Sequence, residues 1–177
     1  MMGRRVSLAA AAAFLVLTGT GSAQAAKPVP AELQPTGDTP VLTAKAKGVQ
    51  IYKSATDADG HLKWVFEAPL AQLADRHGKF VLYHYAGPSW EAPDGSKVAR
   101  DTAVPVKSVP APNAATDVPW LLAKVVADPA PGILAHVEFV QRLETHGGQA
   151  PATPPVRAET RVGVPYTATY VFWSKAP

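Results

Sequence analysis

The stretch HYAGPSWEAPDGSKV, residues 84–98, holds the densest set of side chains that could do chemistry. A histidine could act as a general acid or base, carboxylates could assist it, and aromatic rings could stack on a sugar or another flat apolar group. The same letters also predict a hairpin, because Gly-Pro breaks a strand and Asp-Gly-Ser turns the chain. That second interpretation is favoured, although it explains the histidine less well than the turn. The candidate residues are His84, Tyr85, Trp90, Glu91 and Asp94.

The five histidines raise the question of a metal site, but no two of them have the close spacing of a helical or hairpin ligand pair. His84, His136 and Glu138 could meet across neighbouring strands and form a triad. A hydrogen-bonded structural role is the better interpretation for each. We therefore predict no metal site and no cofactor.

Arg142 is a further candidate for ligand binding, because a guanidinium group can bind a carboxylate or phosphate with two hydrogen bonds. Glu138 lies on the same face of the predicted strand, so an internal ion pair that anchors the His146–Gly148 turn is the favoured alternative. Neither a G-x-S-x-G nor an S-x-x-K hydrolase motif occurs, and no glycine-rich phosphate loop precedes a helix.

The elements that must position these side chains are short strands. Residues 133–145 alternate: Ile133 to Leu143 at odd positions face one way, and Leu134 to Arg142 at even positions face the other. Residues 164–175 alternate in the same manner. We predict an all-β, single-domain antiparallel sandwich or barrel with Pro/Gly-rich loops and at most one short helix, for which residues 68–78 are the candidate.

The N-terminal 25 residues have the features of an export signal. A short basic segment precedes an apolar run that is too short to span a bilayer, and Ala23-Gln24-Ala25 fits a signal-peptidase site. Cleavage after Ala25 or after Ala26 fits equally, and Arg4-Arg5 leaves both the general and the twin-arginine export routes open. We expect a secreted or periplasmic protein with no transmembrane segment in the mature chain, a Pro/Ala-rich arm at 26–47 and a β domain at 48–177.

Charge and cysteine content narrow the classes of partner. Two of the 17 basic residues lie in the predicted signal, which leaves 15 basic against 14 acidic residues without a clustered basic face. Nucleic acid is therefore not expected as a partner. The absence of cysteine excludes disulfides, thiol nucleophiles and thiolate metal ligands.

Several motifs resemble, in their order, a family of exported microbial proteins that is catalogued as a domain of unknown function. The motifs are GVQIYK, WVFEAPLAQL, HYAGPSWEAPDGSKV, VPWLL, VQRLETHGGQAP and VPYTATYVFW. The resemblance covers about Gly48 to Trp173 and implies export and a single domain, but no activity.

The chain departs from the family pattern at two places. The pattern has one cysteine shortly after QIY and another after GG-x-AP, where this chain has Ser54 and Pro155 or Val156. The resemblance implies that one disulfide has been lost here, and that residues near 54 and 155 still lie close together.

Three functions remain open from the sequence, which does not decide whether the protein is an enzyme. The leading hypothesis is an exported β-scaffold that binds a small or glycan-like ligand, or an envelope partner, through an aromatic-lined surface. The first alternative is a hydrolase or isomerase that uses His84 with Glu91 or Asp94. The second alternative is a purely structural protein of the cell envelope.

Overall fold

The computed structural model describes residues 28–175, and these residues are almost entirely β-structure. One 3₁₀ turn, Ala31–Leu33, precedes nine strands. The strands are β1 (Asp38–Thr56), β2 (Leu62–Ala74), β3 (Phe80–Tyr85), β4 (Ser89–Glu91), β5 (Lys97–Arg100), β6 (Lys107–Val109), β7 (Trp120–Ala127), β8 (Val137–Gly147) and β9 (Arg161–Lys175).

Eight of the strands close into an antiparallel barrel. They follow the order β5-β4-β3-β2-β1-β9-β8-β7, and β5 also pairs with β7 through Val98↔Ala127, Ala99↔Val126 and Arg100↔Val125. The remaining strand, β6, pairs with the first half of β7, where Trp120–Leu122 form the ladder. The predicted all-β antiparallel fold is confirmed, and the barrel is the alternative that occurs.

Alternation along the strands sends every second side chain into the barrel. One end of the interior is filled by apolar side chains, among them Leu73, Leu82, Val98, Val140 and Phe172, which are all fully or almost fully buried. Leu134, from the β7–β8 connection, is completely buried and belongs to the same cluster. This end of the barrel is therefore closed.

A second apolar cluster lies on the outer face of the sheet. It joins Leu33 of the 3₁₀ turn to Trp120, Leu122 and Leu143, and Gln141 Nε2 donates a hydrogen bond of 2.7 Å to the Leu33 carbonyl. The predicted arm at 26–47 therefore divides into two parts with different structures. Its first described residues cover this outer face, whereas residues 38–47 are the first half of β1, between β2 and β9.

Residues 68–74 of the predicted short helix belong to strand β2 instead. Leu70 and Leu73 are three residues apart, so in a strand they point to opposite faces. The structure shows this: Leu70 is 55% exposed and Leu73 is completely buried. Buried and exposed residues alternate from Pro69 to Leu73, so the spacing of the two leucines did not indicate a helix.

The predicted strand at 133–145 begins later and is interrupted. It starts at Val137, and the register with β9 shifts between Val137 and Phe139. Because of this bulge, Val137 and Val140 both join the interior cluster, while Phe139 packs on the outer one. A single unbroken alternation over this segment was therefore wrong.

The loop before β9 lies against β1 near Ser54, as the resemblance implied. Ser54 Oγ accepts hydrogen bonds from Thr160 N at 3.0 Å and from Thr160 Oγ1 at 3.1 Å. Trp64, which is paired with Ser54, donates its Nε1–H to the Thr153 carbonyl at 3.0 Å. Contacts on both sides of residue 155 thus hold the loop where the disulfide was inferred. No helix within residues 28–175 is long and apolar enough to cross a membrane.

Gly48 lies where the paired strands β1 and β2 approach each other closely. A Cβ at this position would lie 2.1 Å from the Leu70 carbonyl oxygen and 2.5 Å from Ala71 Cα, which are backbone atoms that cannot move aside cheaply. We expect Gly48→Ala to lower the free energy of unfolding by about 1–3 kcal/mol, the usual cost of overpacking. Denaturant unfolding measures it.

Gly163→Ala is the matched control, because the three atoms nearest to its Cβ would all belong to the Val49 side chain, at 3.3–3.5 Å. The control should unfold close to the unchanged protein. Equal stability of both variants would show that β1 and β2 do not approach as closely as described.

Candidate functional site

The interior of the barrel is not filled at the end opposite Leu134. A cavity of about 270 Å³ lies there, and all eight strands of the barrel contribute residues to its lining. Its lining includes rings, prolines and a few polar side chains: Gln50, Tyr52, Phe66, Pro69, His84, Pro88, Trp90, Arg100, Val106, Val118, Pro119, Leu121, Ala123, Arg142, Gln149 and Tyr170.

Three aromatic side chains form a layer between this cavity and the packed end. The rings of His84 and Trp90 are stacked, with centroids 4.4 Å apart and an angle of 6° between the planes. Tyr170 meets both of them edge-on, at 5.2 Å and 5.8 Å. Phe172, from the packed end, meets Trp90 at 6.2 Å and 87°. The layer therefore provides a rigid, apolar floor for the cavity.

His84 is neutral in this setting. Its Nδ1 lies 2.9 Å from the Ser89 carbonyl, which can only accept, so Nδ1 carries the proton and Nε2 does not. Burial lowers the pKa of His84 from 6.5 to about 3, although the Ser89 hydrogen bond opposes the shift. A histidine held in this form fixes the aromatic layer and is a poor proton carrier near neutral pH.

Two arginines face the cavity without an acidic partner. Arg142 donates from Nε at 3.1 Å and from Nη2 at 2.9 Å to the Pro119 carbonyl. Arg100 has a buried Nε to which residues 28–175 offer no hydrogen-bond acceptor. Among residues 28–175, neither arginine forms a salt bridge, and no aspartate or glutamate belongs to the cavity lining.

The positive charge of Arg142 acts on several neighbours in the interior. Burial raises the pKa of Tyr52 and, more strongly, that of Tyr166, and in both cases Arg142 opposes the shift. Arg142 also adds to the lowering of the pKa of His84. These effects indicate a positive potential inside the barrel that no nearby carboxylate cancels.

The outer groove next to β1 and β8 behaves differently. It is lined by Lys45, Glu144 and Thr169, among others. Lys45 Nζ lies 2.7 Å from Glu144 Oε2, and Thr169 Oγ1 donates to the same carboxylate. Its main charges pair with each other, whereas those in the cavity do not.

The structure brings together three of the six residues that were predicted as a site. His84, Trp90 and Arg142 face the cavity. Tyr85 and Glu91 lie on the outer face of β3 and β4, because each is one residue away from an inward-facing neighbour. There the Tyr85 hydroxyl donates to Glu91, which raises the pKa of Tyr85, and Lys97 Nζ lies 5.7 Å from the tyrosine ring.

Asp94 is a structural residue at the closed end. Its Oδ1 accepts from Ser96 N and Ser96 Oγ at 2.9 and 2.6 Å, and its Oδ2 accepts from Ile133 N at 2.9 Å. Ser96 Oγ in turn accepts from Leu134 N at 3.2 Å. The carboxylate thus joins the β4–β5 turn to the connection that brings Leu134 into the barrel.

The internal ion pair of Glu138 and Arg142 does not form. The bulge after Val137 turns Glu138 outward, where it binds Lys124 at 2.6 Å and Lys175 at 3.4 Å. For the same reason the triad of His84, His136 and Glu138 is not assembled: His84 is inside the barrel and Glu138 is not.

In the part of the chain that the structure describes, one other group has metal-ligand chemistry. The ligand atoms of Asp57, Asp59 and His61 lie within 4.8 Å of one another in the β1–β2 turn. Asp57 Oδ1 already accepts from Asp59 N at 3.0 Å and from His61 N at 2.9 Å. These hydrogen bonds account for the arrangement as a turn.

Gln50, Arg100 and Tyr170 line the cavity but were not among the predicted site residues. For Gln50 and Arg100 the signal was the alternation, because Gln50 shares a face with Gly48 and Tyr52, and Arg100 shares one with Val98. A polar residue on the inward face of a barrel strand is the pattern that identifies them.

A closed eight-stranded barrel with one open, aromatic-floored cavity is the class of protein that these observations define. A family model described as "Protein of unknown function (DUF3455)" matches residues 35–174, and the chain belongs to this family. The resemblance found in the sequence is therefore confirmed, and the match includes the first half of β1. No curated protein and no solved structure matches the chain.

The buried, neutral His84 predicts a specific dependence of stability on pH. The unfolded chain takes up a proton below the ordinary pKa of 6.5, whereas folded His84 does so only near 3. Stability should therefore fall as the pH falls through this interval, with about one proton taken up on unfolding. In His84→Asn, the amide can still donate a hydrogen bond to the Ser89 carbonyl. The slope of its unfolding free energy against pH should correspond to one proton fewer than in the unchanged protein.

His61→Asn is the control, because His61 is exposed in a turn. It should keep the slope of the unchanged protein. If His84→Asn has that slope as well, His84 is not buried as a neutral ring.

The hydrogen bonds of the Asp94 carboxylate predict a second dependence of stability on pH, at more acidic pH values. Hydrogen bonds from Ser96 and Ile133 lower its pKa below the ordinary value of 3.8. The contribution of the Asp94 carboxylate to the free energy of unfolding is thus fully present above 3.8 and is lost as the pH falls through the lowered pKa. Asp94→Ala should be less stable at neutral pH, and the difference from the unchanged protein should shrink in acid.

Asp59→Ala is the comparison in this case, since the structure gives its carboxylate no hydrogen bond of this kind within the described residues. Thermal unfolding at several pH values is the measurement. A constant difference between Asp94→Ala and the unchanged protein at all pH values would contradict the assigned role.

Proposed function

We propose that this protein is a non-enzymatic binding protein that takes one small organic ligand, with a flat and largely apolar body, into the open end of its barrel. The observation that carries the proposal is the unfilled cavity above the His84, Trp90 and Tyr170 layer. Eight-stranded barrels are either filled by side chains or hold one small ligand, and this barrel is filled at only one end.

The size and lining of the cavity support a ligand of one or two rings. Its volume of about 270 Å³ lies near the lower limit of ligand sites, which are mostly apolar with few polar groups. Stacked and edge-on rings favour a flat partner over a branched one. Phe66, which is 45% exposed and belongs to the lining, supplies apolar surface where a ligand would enter.

The geometry does not favour the enzymatic alternative. His84 lies inside the barrel, whereas Glu91 lies on its outer face. The Asp94 carboxylate is held at the closed end by its hydrogen bond from Ile133 N. His84 is also neutral and has a pKa of about 3, far from the value that suits a general acid or base near neutral pH. A purely structural role leaves the unfilled interior unexplained, since voids in a core reduce stability.

We also propose that the protein is exported. The support is the sequence of residues 1–25, which lie outside the described part of the chain. The mature protein, isolated from cells that express the full chain, should begin at Ala26 or Lys27 and should be found outside the cytoplasm. An intact N-terminus in the cytoplasmic fraction would refute export.

The binding proposal is tested by filling the cavity. Ala123 is buried and lines it, so Ala123→Leu places a larger apolar side chain where the ligand would lie. Isothermal titration with 2-naphthalenemethanol, a neutral flat probe, should show binding to the unchanged protein and at least about tenfold weaker binding to the variant. The variant should unfold at the same or a higher temperature, because it fills a void.

Val126→Leu is the matched control on the same strand, since Val126 is 57% exposed and lies on the outer face. It should bind the probe like the unchanged protein. Equal binding by Ala123→Leu would show that the probe lies elsewhere, and no binding to any of the three proteins would refute the proposal for ligands of this size.

A further inference from the structure

We propose that the ligand carries a carboxylate, and that Arg142 and Arg100 bind this group inside the barrel. The inference rests on the proposed binding function and specifies the chemical class of the ligand. It depends on the polar groups of the cavity rather than on its rings.

Some hydrogen-bond donors among those polar groups have no acceptor within the described residues. Trp90 Nε1 and Arg100 Nε are both buried without a partner, and both residues line the cavity. Gln50 Nε2 is buried as well, but the Gln50 side chain lies beside the Tyr166 hydroxyl and lowers the pKa of that tyrosine. Buried donors normally have partners, so these positions point to an acceptor-rich group supplied from outside.

Arg142 is oriented to bind such a group. A guanidinium has five N–H donors, and the Pro119 carbonyl takes only the Nε–H and one Nη2–H. The carbonyl is neutral, so it fixes the plane of the guanidinium without cancelling its charge. The two terminal nitrogens keep N–H donors that form a fork, and the fork matches the two oxygens of a carboxylate.

The charge balance of the cavity supports an anion. Arg100 and Arg142 contribute two positive charges to the lining, and none of the lining residues is acidic. Elsewhere in the described chain, Lys45, Lys124 and Arg161 each pair with a glutamate at 2.6–2.7 Å. A partly buried cation without a counter-ion is costly, and an anionic ligand would remove this cost on binding.

A carboxylate fits better than a phosphate. The cavity is small and mostly apolar, which suits one planar anionic group joined directly to a flat body. Phosphate sites generally add backbone N–H groups from a helix N-terminus or a glycine-rich loop. The described residues contain no α-helix, and none of the residues that line the cavity is a glycine.

The experiment compares matched probes that differ only in the polar group. Titrations with 2-naphthoate, 2-naphthalenemethanol and 2-naphthyl phosphate are carried out on the unchanged protein, Arg100→Gln, Arg142→Gln and the exposed control Arg157→Gln. The unchanged protein should prefer 2-naphthoate over the alcohol by about tenfold to hundredfold, which is the usual advantage of hydrogen bonds to charged groups. Arg157→Gln should keep that preference.

Both cavity variants should reduce the preference, because 2-naphthoate should lose more affinity than the alcohol does. Arg142→Gln also removes the hydrogen bonds to Pro119, so its fold is checked by thermal unfolding. Arg100→Gln is the decisive variant if the other does not fold, because Arg100 Nε has no partner to lose.

The outcomes separate this inference from the binding function. Equal affinity of the unchanged protein for naphthoate and the alcohol would overturn the carboxylate and leave the binding function intact. Tighter binding of the phosphate ester than of naphthoate would also overturn it. If no probe binds, the binding function itself fails, and the inference fails with it. A preference for naphthoate that survives in Arg100→Gln and Arg142→Gln would show that these arginines do not recognise the ligand.

Discussion

The pairing of β5 with β7 is the constraint on which the other features depend. Three residue pairs, Val98↔Ala127, Ala99↔Val126 and Arg100↔Val125, turn an open sheet into a barrel with an inside and an outside. Once the sheet is closed, the face of each strand residue determines whether it meets other side chains or solvent. Arg100 is part of this seam, so the residue that closes the barrel also places a cation in the cavity.

A one-residue step along a strand therefore decides between two chemical environments. His84 and Trp90 are paired across β3 and β4 and stack inside, whereas Tyr85 and Glu91 are each one residue further on and form a hydrogen bond outside. The candidate residues lie close together in the sequence because inward-facing and outward-facing side chains alternate along the strands. The histidine that looked most reactive is the one that the fold keeps neutral, because burial disfavours its charged form and the positive charge of Arg142 adds to this effect.

The sequence predicted the class of fold because alternation is local, and local patterns survive without knowledge of the partners. It did not predict the bulge after Val137, which depends on the register with β9 and turns Glu138 away from Arg142. It also placed residues 38–47 outside the domain, since lysine, proline and threonine obscure alternation in a strand whose outer face is exposed. His84, Trp90 and Arg142 were found by their chemistry, whereas Gln50 and Arg100 required the inward face to be known.

The two ends of the barrel have different roles: one stabilises the fold, and the other holds the cavity. At one end, Asp94 accepts a hydrogen bond from Ile133 N, and Ser96 Oγ accepts a buried one from Leu134 N, which together hold Leu134 in the interior. At the other end, the same strands keep a void and two cations that weaken the fold by themselves. The packed end offsets this cost, and a rigid layer between the two ends preserves the shape of the cavity. The stacked His84 and Trp90, fixed through the Ser89 carbonyl and wedged by Tyr170, provide this rigidity.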